Sequence, residues 1–125
     1  MTTTTTKCRR VLVVDDNLGL AENLAELVEL RGHSAVVATS AEAALAEASA
    51  HPPDVLVTDY RLPGMSGAGL VRRLREAGVH AVAIVISAFT DDETIDDARR
   101  AGAAFVAKPV ALEELARLVD GTSST

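Results

Sequence analysis

Five short apolar runs divide the sequence, at 11–14, 34–38, 54–59, 81–86 and 103–107, most of them built on Val, Ile and Ala. Continuous runs of this kind, unlike the alternating pattern of a half-exposed strand, predict strands covered on both faces. Between them the apolar spacing turns helical. Leu20, Leu24, Leu27 and Val28 share one face of a helix over 18–31, which Gly32 closes. Ser40 caps an Ala-rich second helix running to residue 50, with Leu45 and several alanines inward, and Pro52-Pro53 stops it. Leu70, Val71 and Leu74 mark the inner face of a third helix over 68–77. A short acidic fourth helix spans 92–100, ending in Arg99-Arg100 as the helix dipole prefers, and a fifth spans 112–119. Strand and helix alternate five times. That order predicts a parallel sheet with helices on both faces.

Composition narrows the picture. The 125 residues make one domain, and a 48% hydrophobic content is enough for a real core. Residues 1–9 read as a flexible Thr-rich tail, 10–120 as the domain and 121–125 as a second flexible tail. A net charge of −6 and only one Tyr, two Phe and no Trp argue against a nucleic-acid module, which needs a basic patch and stacking rings. Cys8 is the single cysteine, which fits a reducing compartment. The N-terminus has no apolar signal segment and no run reaches membrane-spanning length, so a cytoplasmic setting is expected.

The chemistry lies where the apolar runs stop. The first ends at Asp15-Asp16, the third at Asp59, the fourth at Ser87 and the fifth at Lys108. Asp15 and Asp16 could simply cap the next helix. In the flavodoxin-like, doubly wound order 2-1-3-4-5, however, strands one and three are neighbours at the switch point, where ligands bind. Three acids, a hydroxyl and an amine then share one rim, more than capping requires.

These motifs together resemble the receiver domain of two-component response regulators over residues 9–120. The match comprises the acid pair ending strand one, Asp59 ahead of Leu62-Pro63-Gly64-Met65, Ser87-Ala88 after strand four and Lys108-Pro109 after strand five. The resemblance implies a stand-alone receiver, a signalling switch whose Asp59 accepts a phosphoryl group from a phosphohistidine donor. Its chemistry is self-phosphorylation and autodephosphorylation rather than conventional turnover. Mg²⁺ is implied as cofactor, with Mn²⁺ able to substitute. Asp16, Asp59 and the backbone carbonyl of Arg61 would bind the metal directly, and Asp15 mainly through water. Lys108 would offer a point charge to the phosphoryl oxygens. Ser87 would hydrogen-bond the modified Asp59 and draw its loop inward, and Phe105 would turn into the space vacated. Core packing is the alternative role for Phe105, and a turn hydroxyl bonded to its own backbone is the alternative for Ser87. The Lys108-Pro109 bond is a candidate for the cis form common in the family.

Arg61 and Phe89, two residues after Asp59 and Ser87 respectively, flank the route of water to a phosphoryl group and are candidate modulators of its lifetime. His33, His51 and His80 lack metal-ligand spacing and are expected to face solvent. The implied donor is a sensor histidine kinase or a histidine phosphotransfer protein. Output would pass through the fourth helix, fifth strand and fifth helix to a protein effector or a second copy, with neither nucleic acid nor membrane a direct partner. The chain ends with the fifth helix, so no attached output domain is expected. The alternatives are an excised receiver of a longer regulator or hybrid kinase, and a binding module that ignores phosphate. A phospho-aspartate phosphatase usually carries a second Asp where Arg61 stands, and a flavin-binding relative needs a phosphate-cradling loop where Asp15 and Asp16 would repel phosphate.

Overall fold

In the computed structural model, which describes residues 8–121, the apolar runs become the strands of one sheet. The elements are β1 (Arg10–Val14), α1 (Leu18–Leu30), β2 (Ser34–Ala38), α2 (Ala41–Ala50), β3 (Val55–Asp59), α3 (Gly67–Glu76), β4 (Val82–Ser87), α4 (Asp92–Arg100), β5 (Ala103–Ala107) and α5 (Leu112–Asp120). The five strands pair in parallel in the order β2-β1-β3-β4-β5. The chain reverses its direction of travel across the sheet between β1 and β3. In register, Val14 lies opposite Thr58, Asp59 opposite Ile86 and Ser87 opposite Ala107, so the polar strand ends reach a common edge.

Alternate side chains serve the two faces. Leu12, Val14, Leu56 and Val85 pack with Ala44 of α2, Leu70 of α3 and Ala98 of α4. Val13, Val57, Ile84 and Ile86 pack with Val28 of α1 and with Leu115 and Val119 of α5. Each fully buried Leu or Ile stabilises the fold by about 1.5–3 kcal/mol. Side-chain caps fix where the helices start: Asn17, Ser40, Ser66 and Asp91 each accept an N–H from the first turn of the helix that follows.

Some expectations need correction. Leu20 is 45% exposed, and the buried stripe of α1 is Ala21, Ala25 and Val28, with Leu24 and Leu27 only partly covered. The segment after Asp59, for which the apolar pattern predicts no element, is ordered: Arg61–Leu62 and Met65–Ser66 form a small antiparallel ladder around Gly64. His33 does not face solvent, unlike His51 and His80, which are exposed. Its side chain is 1% exposed, and its Nε2 lies 2.8 Å from Asp120 Oδ1. Its Nδ1 accepts the Arg9 N–H at 3.0 Å, so the ring proton sits on Nε2 and is donated to Asp120. Asp120 also pairs with Arg31. Arg9 therefore belongs to the fold rather than to a tail, and its carbonyl accepts from Ser34 N–H at 3.0 Å. Gly121 likewise closes α5 in the left-handed conformation. The remainder of the two expected tails, 1–7 and 122–125, lies outside the described residues. Among the described residues no helix is long and apolar enough to cross a membrane.

Candidate functional site

At the carboxyl end of β1 the ladder continues one step further, with Asp15 N–H donating to the Ala38 carbonyl at 3.1 Å. This holds Asp15 at the rim, 5% exposed. Its Oδ1 accepts the Asn17 N–H at 2.9 Å. Asn17, not either acid, caps α1. The capping alternative therefore fails. Asp16 is exposed and Asp59 half-buried, and one carboxylate oxygen of each of the three acids lies within 4.8 Å of the others. Burial pushes the Asp15 carboxyl up. The Asn17 N–H offsets part of this rise, the charges of Asp59 and Asp16 add to it, and Lys108 opposes it. A set of hard carboxylate oxygens carrying excess negative charge fits Mg²⁺ chemically.

On the other side of Asp59 stands Lys108, with Nζ 2.8 Å from Asp59 Oδ1. Its position follows from strand pairing, since Lys108 N–H donates to the Ser87 carbonyl at 2.9 Å. The Lys108-Pro109 bond is cis. Ser87 is 2% exposed, and its Oγ accepts the Phe89 N–H at 2.9 Å, which leaves the hydroxyl proton to be given elsewhere. Arg61 N–H donates to Asp59 Oδ2 at 3.2 Å. The Arg61 guanidinium carbon lies 4.3 Å from the centre of the half-exposed Phe89 ring. One cation–π contact thus bridges the loop after Asp59 and the loop after Ser87. A largely apolar cleft of about 280 Å³ opens beside the acids, between Leu20 and Leu24 of α1 and the segment Pro109-Val110.

The rim thus unites Asp15, Asp16, Asp59, Ser87 and Lys108, with Arg61 and Phe89 beside them. Phe105 lies further back, opposite Val85 in the ladder, half-buried against the core on the same face as Tyr60. Two contributors escaped the sequence reading. Gly67 N–H donates to the Tyr60 carbonyl at 2.6 Å, and a Cβ there would stand 2.4 Å from the Asp59 carbonyl oxygen. Tyr60 hydrogen-bonds Asp97 of α4. The glycine stands close after Pro63 and Gly64, where sequence alone does not distinguish it from a turn residue; the tyrosine's partner is 37 positions away.

The sequence profile of the response regulator receiver domain matches residues 11–120. The chain belongs to this family. A response regulator receiver protein of Anaeromyxobacter sp. (strain Fw109-5) is 44% identical over 108 residues, covering 86% of this chain and 45% of that protein. The transcriptional regulatory protein KdpE of Mycobacterium tuberculosis is 40% identical over 110 residues, covering 86% of this chain and 48% of that protein. This receiver domain therefore spans about half the length of those relatives. Among solved structures, the signal receiver domain of NarL from Mycobacterium tuberculosis superposes with a TM-score of 0.83 at 30% identity, covering 94% of this chain and 99% of that one.

Proposed function

We propose that this receiver domain is a phosphoacceptor switch in which Asp59 takes a phosphoryl group from a phosphohistidine donor, with Mg²⁺ held at the rim. The observation that carries this reading is the Lys108 ammonium 2.8 Å from Asp59 Oδ1, on a carboxylate already clustered with Asp15 and Asp16. Acids alone would repel an arriving phosphate. Two unit charges about 4 Å apart interact by about 4 kcal/mol at the effective dielectric of a protein surface. Lys108 offsets one such term. Asp16, Asp59 and the Arg61 carbonyl would hold the metal directly and Asp15 through water, with Mn²⁺ able to replace Mg²⁺. The metal supplies neutralisation of charge on the transferring group.

An Asp59 oxygen forms the new P–O bond while the donor's P–N bond breaks, and the imidazole leaves with the bonding electron pair. Lys108 balances the charge arriving on the phosphoryl oxygens, and Ser87 donates a hydrogen bond from its hydroxyl to one of them. Movement of Ser87 carries Phe89 with it, because the Phe89 amide is bonded to Ser87 Oγ. The same movement acts on the Arg61 stack, which governs access of water and hence phosphoryl lifetime. Phe105 turns in response. The population of the α4-β5-α5 surface shifts, and a protein effector or a second copy reads it. A sensor histidine kinase or a histidine phosphotransfer protein is the proposed donor, in the cytoplasm. A second reading is supported by the chain's spanning about half of its relatives: the domain is the receiver segment of a longer regulator or hybrid kinase, and output passes to an attached segment.

Intact mass after incubation with acetyl phosphate, or with a phosphorylated histidine phosphotransfer protein, tests the reading. A Mg²⁺-dependent phosphoryl adduct that is lost in Asp59→Asn is expected. A wild-type chain that accepts from neither donor overturns it.

A further inference from the structure

Tyr60 joins the acceptor loop to α4 through a contact that the phosphoryl chemistry does not use. Its phenol donates to Asp97 Oδ2 at 2.7 Å. Arg72 of α3 holds Asp97 from the other side, with Nη2 2.6 Å from Oδ1 and 3.2 Å from the Asp97 carbonyl. The Tyr60 backbone is pinned as well. Its N–H donates to the Ile86 carbonyl at 2.7 Å, and its carbonyl accepts from Gly67 at 2.6 Å. A shift of the backbone at Asp59 or Arg61 therefore has little slack in which to die out before it reaches the phenol.

The other end of the contact is weakly held by packing. α4 buries only Thr94 and Ala98, both small, whereas α3 buries five residues, including Leu70, Val71 and Leu74. Polar ties are thus a large share of what positions α4, and elements of this kind are the ones that move. The tie is charge-assisted and about twice as strong as a neutral hydrogen bond. Arg72 and then Tyr60 hold the Asp97 carboxyl below its ordinary range, and the same bond pushes the Tyr60 phenol up, with burial and the charges of Asp97 and Asp91 adding to it. Phe105 has no hydroxyl to make such a bond, and the chain has a single tyrosine.

We propose that Tyr60 is a positioning residue that couples Asp59 to α4, its hydrogen bond to Asp97 transmitting a change in the acceptor loop to the exposed face of that helix. The proposal rests on the reading of Asp59 as acceptor, and its test separates the two. The full chain is studied with Mg²⁺ and beryllofluoride, a stable mimic of the aspartyl phosphate, as wild type, Tyr60→Phe and Asp97→Asn. Fluorine NMR reports whether the mimic binds, and hydrogen exchange reports the α4 amides. In the wild type, α4 exchange changes when the mimic binds. In both variants the mimic still binds, and the α4 response shrinks by about tenfold or more, the scale set by one hydrogen bond to a charged group. An α4 response absent from the wild type, or of wild-type size in Tyr60→Phe, overturns the coupling while leaving Asp59 as acceptor. Failure of the wild type to bind the mimic overturns both.

Discussion

Gly67→Ala sets helix propensity directly against the geometry around Asp59. Gly67 is the first residue of α3, and Ala in a helix interior is favoured over Gly by about 0.5–1 kcal/mol, less in the first turn. The backbone raises no objection, since Gly67 is not among the glycines at positive φ. Space does. A Cβ would stand 2.4 Å from the Asp59 carbonyl oxygen and 3.1 Å from Thr58 Cγ2. Carbon and oxygen in close contact need about 3.3–3.6 Å, so the start of α3 and the end of β3 must part by about 1 Å. The obstructing oxygen is backbone, and Gly67 N–H is itself bonded to the neighbouring Tyr60 carbonyl. Overpacking of this kind costs about 1–3 kcal/mol, more than the propensity gain. The expected net loss is about 1–2 kcal/mol, or about 4–8 °C in Tm for a domain of this size.

The same displacement acts on the proposed chemistry. A misplacement of about 1 Å at a reacting group can cost about 100-fold in rate, so phosphoryl uptake should fall far more than stability does. Urea unfolding measures the first effect. Intact mass against time with acetyl phosphate and Mg²⁺, at a temperature where the variant is fully folded, measures the second. A Gly67→Ala chain as stable as wild type or more so, with unchanged uptake, would refute the reasoning, because propensity would then outweigh the contact.

Asp120→Asn should lose about 2 kcal/mol in urea at neutral pH, within the range for hydrogen bonds to a charged group and discounted for the partly exposed Arg31. Arg31 and His33 hold the Asp120 carboxyl below its ordinary range, so its contribution is complete above about pH 4 and is lost as pH falls through the lower folded value. The gap between wild type and variant should therefore close in acid; a gap that widens contradicts the sign. Removing the Arg61–Phe89 stack by Arg61→Ala or Phe89→Leu should shorten the phosphoryl lifetime about two- to fivefold, the equivalent of an exposed cation–π contact of about 0.5–1 kcal/mol. Decay of the adduct followed by mass checks this, and an unchanged or longer lifetime refutes the gate.

What was legible in the sequence follows a physical divide. β2 and β5 fall at the residues expected, because continuous apolar runs between Gly, Pro and charged stops leave little freedom. The rim residues were legible for the same reason, each standing at the end of such a run. Pairwise contacts across the fold were not. Nothing near His33 marks it as buried, since its acceptor arrives with α5 and its donor with the chain ahead of β1. Leu20 shows the limit of periodicity. It keeps helical spacing with Leu24, yet it lies over the cleft beside the acids, where no element of the described residues covers it.

Asp15 and Asp120 show how burial alone misleads about role. The two are almost equally buried, at 5% and 7% exposed, and both belong to a type that is rarely buried without a partner. Asp120 has a guanidinium and an imidazole against it, and its carboxyl is held down; its charge is balanced inside the chain and contributes to stability. Asp15 is pushed up by its burial first, with the charges of Asp59 and Asp16 adding to the rise and the one backbone N–H it accepts offsetting only part of it; its charge is a cost. Lys108 does not remove that cost, because its ammonium is committed to Asp59. A buried acid among like charges is where the proposed Mg²⁺ would offset the cost, and this is the physical difference between the two ends of the sheet. At the amino end Asp120, Arg31 and His33 satisfy one another. The carboxyl end keeps a deficit, held in place by strand register and by the Asn17 cap that leaves both acids free for it.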